Sequence, residues 1–352
     1  MAAASALVLL LPTLVGLLPA GHSSIGAGAL LRRIQGSGQV GYSGYAESVG
    51  ALALPVTSQF NSVDDLFGGS SDLRVWWRGP ADWRVDTVTL TGETDTVRDP
   101  QGVWTWNYEA GSATRDLLAS GPDVRLPRSA DLVPAVLARR LLAQAAPADV
   151  TRLPDARVAG QAAAGLRLRS TDARSTIGHV DVWALPASGL ALQVSVYARG
   201  GTSPVLTSSM LDLSIVTPPA ARTAFRPPSG ARLNLQYGSD VVSALDHFTA
   251  TAPPRELAGL AREQTAGLGA VGVYGRGLTQ LAAVPLPPHL AGEVAAQLGS
   301  VTSGAIRLVV GPLNLLLTAA AQDGSRWLLA GTVTAATLAV AGRHLPAVQD
   351  FQ

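Results

Sequence analysis

Between residues 39 and 118 the chain passes through short runs of period two set between turn formers: "QVGYSGYAES", "DLRVWWRG", "WRVDTVTLTG", "TDTVRD", "VWTWNYEAG" and "SATRDLL". Side chains of a strand point alternately to opposite faces, so each run makes a strand with two distinct faces. Strands this closely spaced, joined by Gly, Pro and Asp turns, pair with their sequence neighbours as an antiparallel meander. In "VWTWNYE" the period puts Trp104, Trp106 and Tyr108 on one face and Val103, Thr105 and Asn107 on the other. Asp99-Pro100-Gln101-Gly102 supplies the preceding turn, with Pro fixing φ at the second position and Gly free to close it.

Three large rings at up to about 200 Å² each make a patch of roughly 600 Å², at or above what a soluble monomer leaves open. Something must cover that face. Neighbouring runs add Leu73, Val75 and Trp77 on one face of "DLRVWW", Trp83 and Val85 on one face of "WRVDTV", and Trp183 at the end of a later strand. If these faces converge, the sheet has a strongly apolar concave side, and these nine residues form its ligand-contacting set. The alternative is an ordinary core closed by the protein's own helices.

Two helices are available for that purpose. "GAGALLRRIQ" makes a short amphipathic helix through Leu30, Leu31 and Ile34. A second follows Asp131 as N-cap, with Pro134 in its first turn and Val133, Val136, Leu137 and Leu141 as an apolar stripe. Strands resume at "AAGLRLRST", "GHVDVWAL", "LALQVSVYARG" and "TSSMLDLSIV". The Pro-rich stretch 217–231 then reads as an interdomain linker. Beyond it come strands at "AVGVYGRG", "TQLAAVPL", "IRLVVGPLNLLL" and "RWLLAGTV", and helices over 290–298 and 335–345, the last capped by Thr334. The expected division is an N-terminal signal or anchor (1–22), a large domain (23–216), a linker (217–231) and a small α/β domain (232–352). A chain of 352 residues has room for about two such domains.

Composition excludes several function classes. A net charge of +1 gives no electrostatic case for nucleic acid. All 26 basic residues are Arg, scattered along an Ala- and Gly-rich chain, which reads as GC-rich coding. With no cysteine there is no disulfide, thiol chemistry or cysteine-held metal. The five His form no metal-ligand spacing, so neither a metal nor another cofactor is expected. "GSGQVG" at Gly36, Gly38 and Gly41 fits G-x-G-x-x-G, but it follows a helix and enters a strand, the reverse of a nucleotide-binding turn. No G-x-S-x-G occurs, and Asp64-Asp65 sits in a loop-like run, so an envelope hydrolase is the third-ranked reading. The uncharged run Ala6–Leu18 reads as an export signal or an uncleaved anchor, which sends the rest of the chain outside the cytoplasm.

The order of elements, with "VAGQAAAGLRLRST" leading to "GHVDVWALPASGLALQVSVY" and the turn Ser188-Gly189-Leu190, resembles the outer-membrane lipoprotein carrier fold. More narrowly, the chain resembles RseB/MucB-type regulators of envelope-stress sigma factors, with "YGRGLTQLAAVPL" and "WLLAGTVTAATLAVAGRHL" matching the small domain's strands and final helix. The resemblance implies an α+β fold: a half-open antiparallel β-barrel wrapped around covering helices, plus the small domain. It implies binding without catalysis, with a lipid or lipoprotein acyl chain in the large domain and a membrane anti-sigma factor as partner. A lipid or lipoprotein carrier is the second reading. The Arg-only, Ala-rich composition fits a high-GC Gram-positive member, whose envelope differs from that of the Gram-negative regulators.

Overall fold

The computed structural model describes residues 22–50, 69–89, 92–117, 127–237, 251–263, 270–298 and 303–348. The Ala6–Leu18 run and the Asp64-Asp65 pair lie outside them. Among the described residues no helix is long and apolar enough to cross a membrane.

The large unit opens with helix α1 (Ala27–Gly36) and continues into strands β1 (Tyr42–Gly50), β2 (Ser70–Gly79), β3 (Asp82–Val88), β4 (Glu93–Asp99), β5 (Gly102–Asn107) and β6 (Ser112–Leu117). Helix α2 (Pro134–Leu142) then precedes β7 (Val150–Val158), β8 (Gln161–Arg169), β9 (Ile177–Ala184), β10 (Ala191–Ala198) and β11 (Pro204–Ser214). After the Pro-rich stretch comes β12 (Arg232–Tyr237). These strands make one 12-stranded sheet in the order β12-β6-β5-β4-β3-β2-β1-β11-β10-β9-β8-β7. It stays open, with β12 and β7 at its ends. The meander is as the turn chemistry predicts: Asp99 Oδ1 accepts from the backbone N–H groups of Gln101 (2.7 Å) and Gly102 (2.9 Å), closing β4 onto β5.

The helices lie on one face of this sheet. Leu30, Leu31 and Ile34 of α1 are buried there with Leu73, Val75, Leu166, Val180, Val182 and Val194 in one continuous core. Helix α2 starts at Pro134, with Val133 rather than Asp131 at the N-cap. Asp131 instead closes the preceding 3-10 turn by accepting from the Arg128 N–H (2.9 Å), and it pairs with Arg140 (2.6 Å). The face of α2 that is buried carries Ala135, Ala138 and Leu142, while Val136, Leu137 and Leu141 are half-buried. Alanines at the contact let the helix approach the sheet closely, so the small side chains face inward.

Strand β12, placed by the sequence with the small domain, pairs in parallel with β6 (Leu233 opposite Ala113, Leu235 opposite Arg115). The boundary expected at 231/232 therefore falls later. The small unit contains β13 (Glu256–Leu257), β14 (Leu260–Ala261), β15 (Gly272–Arg276), β16 (Thr279–Leu286), α3 (Pro288–Gln297), β17 (Ile306–Val310), β18 (Leu313–Leu317), β19 (Arg326–Gly331) and α4 (Ala335–Arg343). Its five-stranded antiparallel sheet runs β15-β16-β19-β18-β17. Thr334 caps α4 by accepting from the Thr337 N–H, as its position predicts. The segment between β8 and β9 plugs into this unit: Thr176 N–H donates to Thr332 O (3.0 Å), Thr334 N–H to Arg174 O (2.8 Å), and Arg174 Nη1 to Gly259 O (2.6 Å).

Candidate functional site

The strand registers divide the nine predicted ligand residues between the two faces of the sheet. Trp77 stands opposite Trp83 and Val75 opposite Val85, and with Leu73 they face the helices. Trp77 is stacked between Tyr42 (6.3 Å between ring centroids) and Trp83 (5.9 Å), its Nε1 donates to Gly38 O (2.8 Å), and the Arg139 guanidinium of α2 lies 5.1 Å above its ring. Trp104 pairs with Val97 and Trp106 with Asp95, and these in turn pair with Arg84 and Asp86. That places Trp104, Trp106 and Tyr108 on the outer face. Trp183 also points outward: it stands opposite Gln193, Gln193 opposite Ser209, and Ser209 opposite Glu47. The expected convergence of all nine on one concave surface is thus corrected: five line the inner face and four the outer.

What covers the outer rings is the Pro-rich stretch itself. Thr217 lies so close to Gly41 that a Cβ there would fall 2.2 Å from its Oγ1, so glycine is what admits the strap. Arg78 donates to Pro218 O, residues Ala220–Arg222 make a 3-10 turn, and Phe225 packs 5.6 Å from Trp104 and 6.4 Å from Trp106. Arg115 lies 5.0 Å over Trp104 from the side, and Tyr108 meets Trp106 edge-on at 5.5 Å but stays 53% exposed. Arg232 N–H then donates to Gly111 O (3.0 Å) and the strap ends in β12.

Beside the strap lies a charged cluster. Arg84 Nε bonds Asp86 Oδ1 (2.6 Å), its Nη2 bonds Asp95 Oδ2 (2.7 Å), and Arg74 pairs with Glu93 (2.5 Å). Carboxylate oxygens of Asp86, Glu93 and Asp95 lie within 4.8 Å of one another, the one such acidic group among the described residues. Three carboxylates face two guanidiniums, so the cluster carries one more acidic group than basic. Burial pushes the Asp95 carboxyl up to about 7, Asp86 adds to the rise, and burial raises Asp86 as well. A proton held between the two would give Asp95 Oδ1, which has no partner among the described residues, a hydrogen bond. A recess of about 450 Å³ adjoins the cluster, walled by Trp76, Tyr108, Glu93 and Arg222 of the strap. This cluster is not among the predicted site residues. Its signal is the β3–β4 hairpin, whose closing pair Thr89 and Gly92 (2.9 Å) sets Asp86 opposite Asp95.

A second, larger cleft of about 730 Å³ separates the two units, between the end of α2, the β8–β9 segment and β14 to β16. Gln144 spans it, its Oε1 accepting from Gly277 N–H (2.7 Å) and its Nε2 donating to Glu263 (2.9 Å). Arg169 and Arg276 line the walls, and Arg174 holds the Asp172 carboxyl below its ordinary value by hydrogen bonding.

No family model matches the chain, and no curated protein matches it in sequence. Solved structures do. A chain of the Pseudomonas aeruginosa MucA/MucB complex is similar over 93% of this chain and 99% of its own, with 15% identity and a TM-score of 0.53. The structure described as MucB in complex with MucA(peri) is similar over the same shares, with 15% identity and a TM-score of 0.51. At that identity the likeness establishes the fold: a large open antiparallel sheet with helices on one face, followed by a small sheet domain.

Proposed function

We propose that the chain is an exported, non-enzymatic binding protein of the cell envelope that regulates an extracytoplasmic-function sigma factor by holding a membrane anti-sigma factor. The observation that carries this is the extent of the likeness: it spans both units and 99% of the neighbour, a protein solved in complex with MucA. A shared large domain alone supports only a shared scaffold; a shared two-unit chain supports a shared way of binding. The interdomain cleft is the place where a partner segment touches both units, and its free wall residues Arg169 and Arg276 suit an acidic stretch. The test is titration of the full chain with the extracytoplasmic segment of the membrane anti-sigma factor encoded beside a sigma factor in the same genome, followed by calorimetry. Binding that weakens in Arg169→Ala/Arg276→Ala supports the reading. No binding by the wild type overturns it.

The carrier reading keeps one specific observation in its favour. Helix α2 closes the inner face with its Arg139 guanidinium over Trp77, Arg139 Nη1 and the Tyr42 hydroxyl have no hydrogen-bond partner among the described residues, and burial lowers Arg139 and raises Tyr42. A cover that leaves two polar groups unsatisfied is one that opens at reduced cost. The acyl chain then enters between α2 and Leu73, Val75, Trp77, Trp83 and Val85. A fatty-acyl probe that raises the melting temperature with concentration and shifts tryptophan emission supports it; a probe without either effect removes it.

A further inference from the structure

Outward carboxylates of the large sheet are paired with arginine almost everywhere: Asp82 with Arg78, Asp86 and Asp95 with Arg84, Glu93 with Arg74, Asp99 with Arg115 and Asp181 with Arg167. Glu47, Asp72 and Asp212 break the pattern. Among the described residues none of them has an ion pair, and Glu47 accepts a hydrogen bond from the Ser70 hydroxyl (3.2 Å). They are also neighbours. Glu47 stands directly opposite Asp72 across β1 and β2, and Tyr45, on the same face of β1, stands opposite Asp212 of β11. Like charges directly opposite oppose strand pairing, so the chain keeps an arrangement that works against its own fold.

The same face also carries exposed apolar side chains beside these charges, and its Arg74, opposite Tyr45, is already engaged by Glu93. Tyr45 is 50% exposed, Val49 47% and Leu211 57%, and Ile215 and Val216 continue the exposed set where β11 runs out. Leu211 is the extra residue of a bulge, since Tyr45 pairs with Asp212 and Ala46 with Met210. Gly44 permits it: a Cβ there would lie 2.1 Å from Asp212 O. The bulge turns both Leu211 and Asp212 toward the outer side, so the two properties of the surface share one local cause.

Three ligand chemistries could meet unpaired carboxylates among apolar side chains. A single metal ion does not bridge them, because among the described residues the acidic group compact enough for one ion is that of Asp86, Glu93 and Asp95. An anionic lipid surface is repelled by them. We infer that the outer face of β2, β1 and β11 docks a peptide segment of a protein partner that presents Arg or Lys side chains between apolar ones. The cations neutralise Glu47, Asp72 and Asp212, relieving the like-charge opposition that the free protein carries, and the apolar side chains cover Tyr45, Val49 and Leu211. The surface shares no residue with the interdomain cleft, so this inference does not depend on the regulatory reading.

The test uses the full chain and two fluorescein-labelled peptides of equal length, one alternating Leu with Arg, the other Leu with Ser, read by anisotropy. The Leu–Arg peptide should bind saturably, more weakly as salt rises, and the Leu–Ser peptide should not. Glu47→Gln/Asp72→Asn/Asp212→Asn should weaken binding about tenfold or more and remove its salt dependence, and Leu211→Ser should weaken it with salt dependence kept. Because the carboxamides remove a like-charge pair, the triple variant should melt at or above the wild-type temperature, which separates lost docking from lost fold. Equal affinity in wild type and triple variant, equal binding of the two peptides, or preference for phosphatidylglycerol vesicles over the Leu–Arg peptide would each overturn the inference.

Discussion

Removing the Phe225 ring should free the strap without unfolding the sheet. Phe225 is half-buried and touches Trp104 and Trp106, at 5.6 and 6.4 Å between centroids. Complete burial of a Phe is worth about 3 to 5 kcal/mol on truncation to Ala. A half-buried ring with about 100 Å² covered contributes about 2.5 kcal/mol by area, and its two ring contacts, both tilted rather than stacked or edge-on, add little to that. A loss of about 2 to 3 kcal/mol is therefore expected in Phe225→Ala. That loss is local: Phe225 is outside the core formed with α1 and α2, and the strap's ends are held separately by Arg78 at Pro218 O and by β12 on β6. A loss of 2 kcal/mol raises the open population of the strap roughly thirtyfold. Limited proteolysis within 217–231, under conditions where closing outruns cleavage, should accelerate by about that factor. Tryptophan emission should shift to the red as Trp104 and Trp106 meet water, while the global denaturant midpoint moves much less. Unchanged cleavage together with unchanged emission would show that Phe225 is not what holds the strap, and a global midpoint lowered by the full 2 to 3 kcal/mol would show that strap and sheet unfold as one.

Truncation on the inner face should behave in the opposite way: Trp77→Ala removes the middle ring of the Tyr42–Trp77–Trp83 stack and should lower global stability by about 3 to 5 kcal/mol, and a loss under about 1 kcal/mol would contradict a filled core there. For Asp95 the folded carboxyl sits at about 7, above its ordinary value, so its contribution is fully present below about pH 4 and is lost as pH rises toward 7. Asp95→Asn lacks this titration, so denaturant midpoints at pH 4.5 and 7.5 should show the variant gaining on the wild type as pH rises; a constant difference across that range would refute a proton shared with Asp86. Fractionation and N-terminal sequencing of the native protein should find it outside the cytoplasm, cut between Ala20 and Ala29 or held at the membrane, and a soluble cytoplasmic product retaining Met1 would defeat export.

The strands were legible because their signal is local. Period two in "VWTWNYE" needs no knowledge of any partner, and Asp99-Pro100-Gln101-Gly102 states its own turn. Which rings share a face is not local in that sense, since it depends on adding the offsets of successive hairpins. Trp77 pairs with Trp83, Trp83 with Arg98 and Arg98 with Val103, so the residue of β5 that joins the inner aromatic stack's row is Val103 and not Trp104. A single-residue slip in any of those turns would move all three outer rings to the core. The information was present in the turn lengths, and it became usable only when the β3–β4 closure at Thr89 and Gly92 was known. The same count would have exposed Asp86 opposite Asp95.

The strap was hidden by a different cause. Proline removes backbone donors and regular structure, so a stretch with "TPP" and "RPP" reads as chain between domains. What argues against a free tether is Phe225, the one aromatic residue within 217–231, because a solvated linker has no use for a ring. Pro-rich chain is in fact well suited to lie across a sheet: it is already extended, so it loses little conformational freedom on docking, and it does not compete for the sheet's own hydrogen bonds. The outer aromatic face of β5 and the ring at the centre of the linker are therefore two halves of one feature, separated by more than a hundred residues of sequence. Neither half is explicable alone, which is why an exposed apolar face in a sequence should be matched first against the isolated aromatic residues of the same chain's unstructured-looking segments and only then against a ligand.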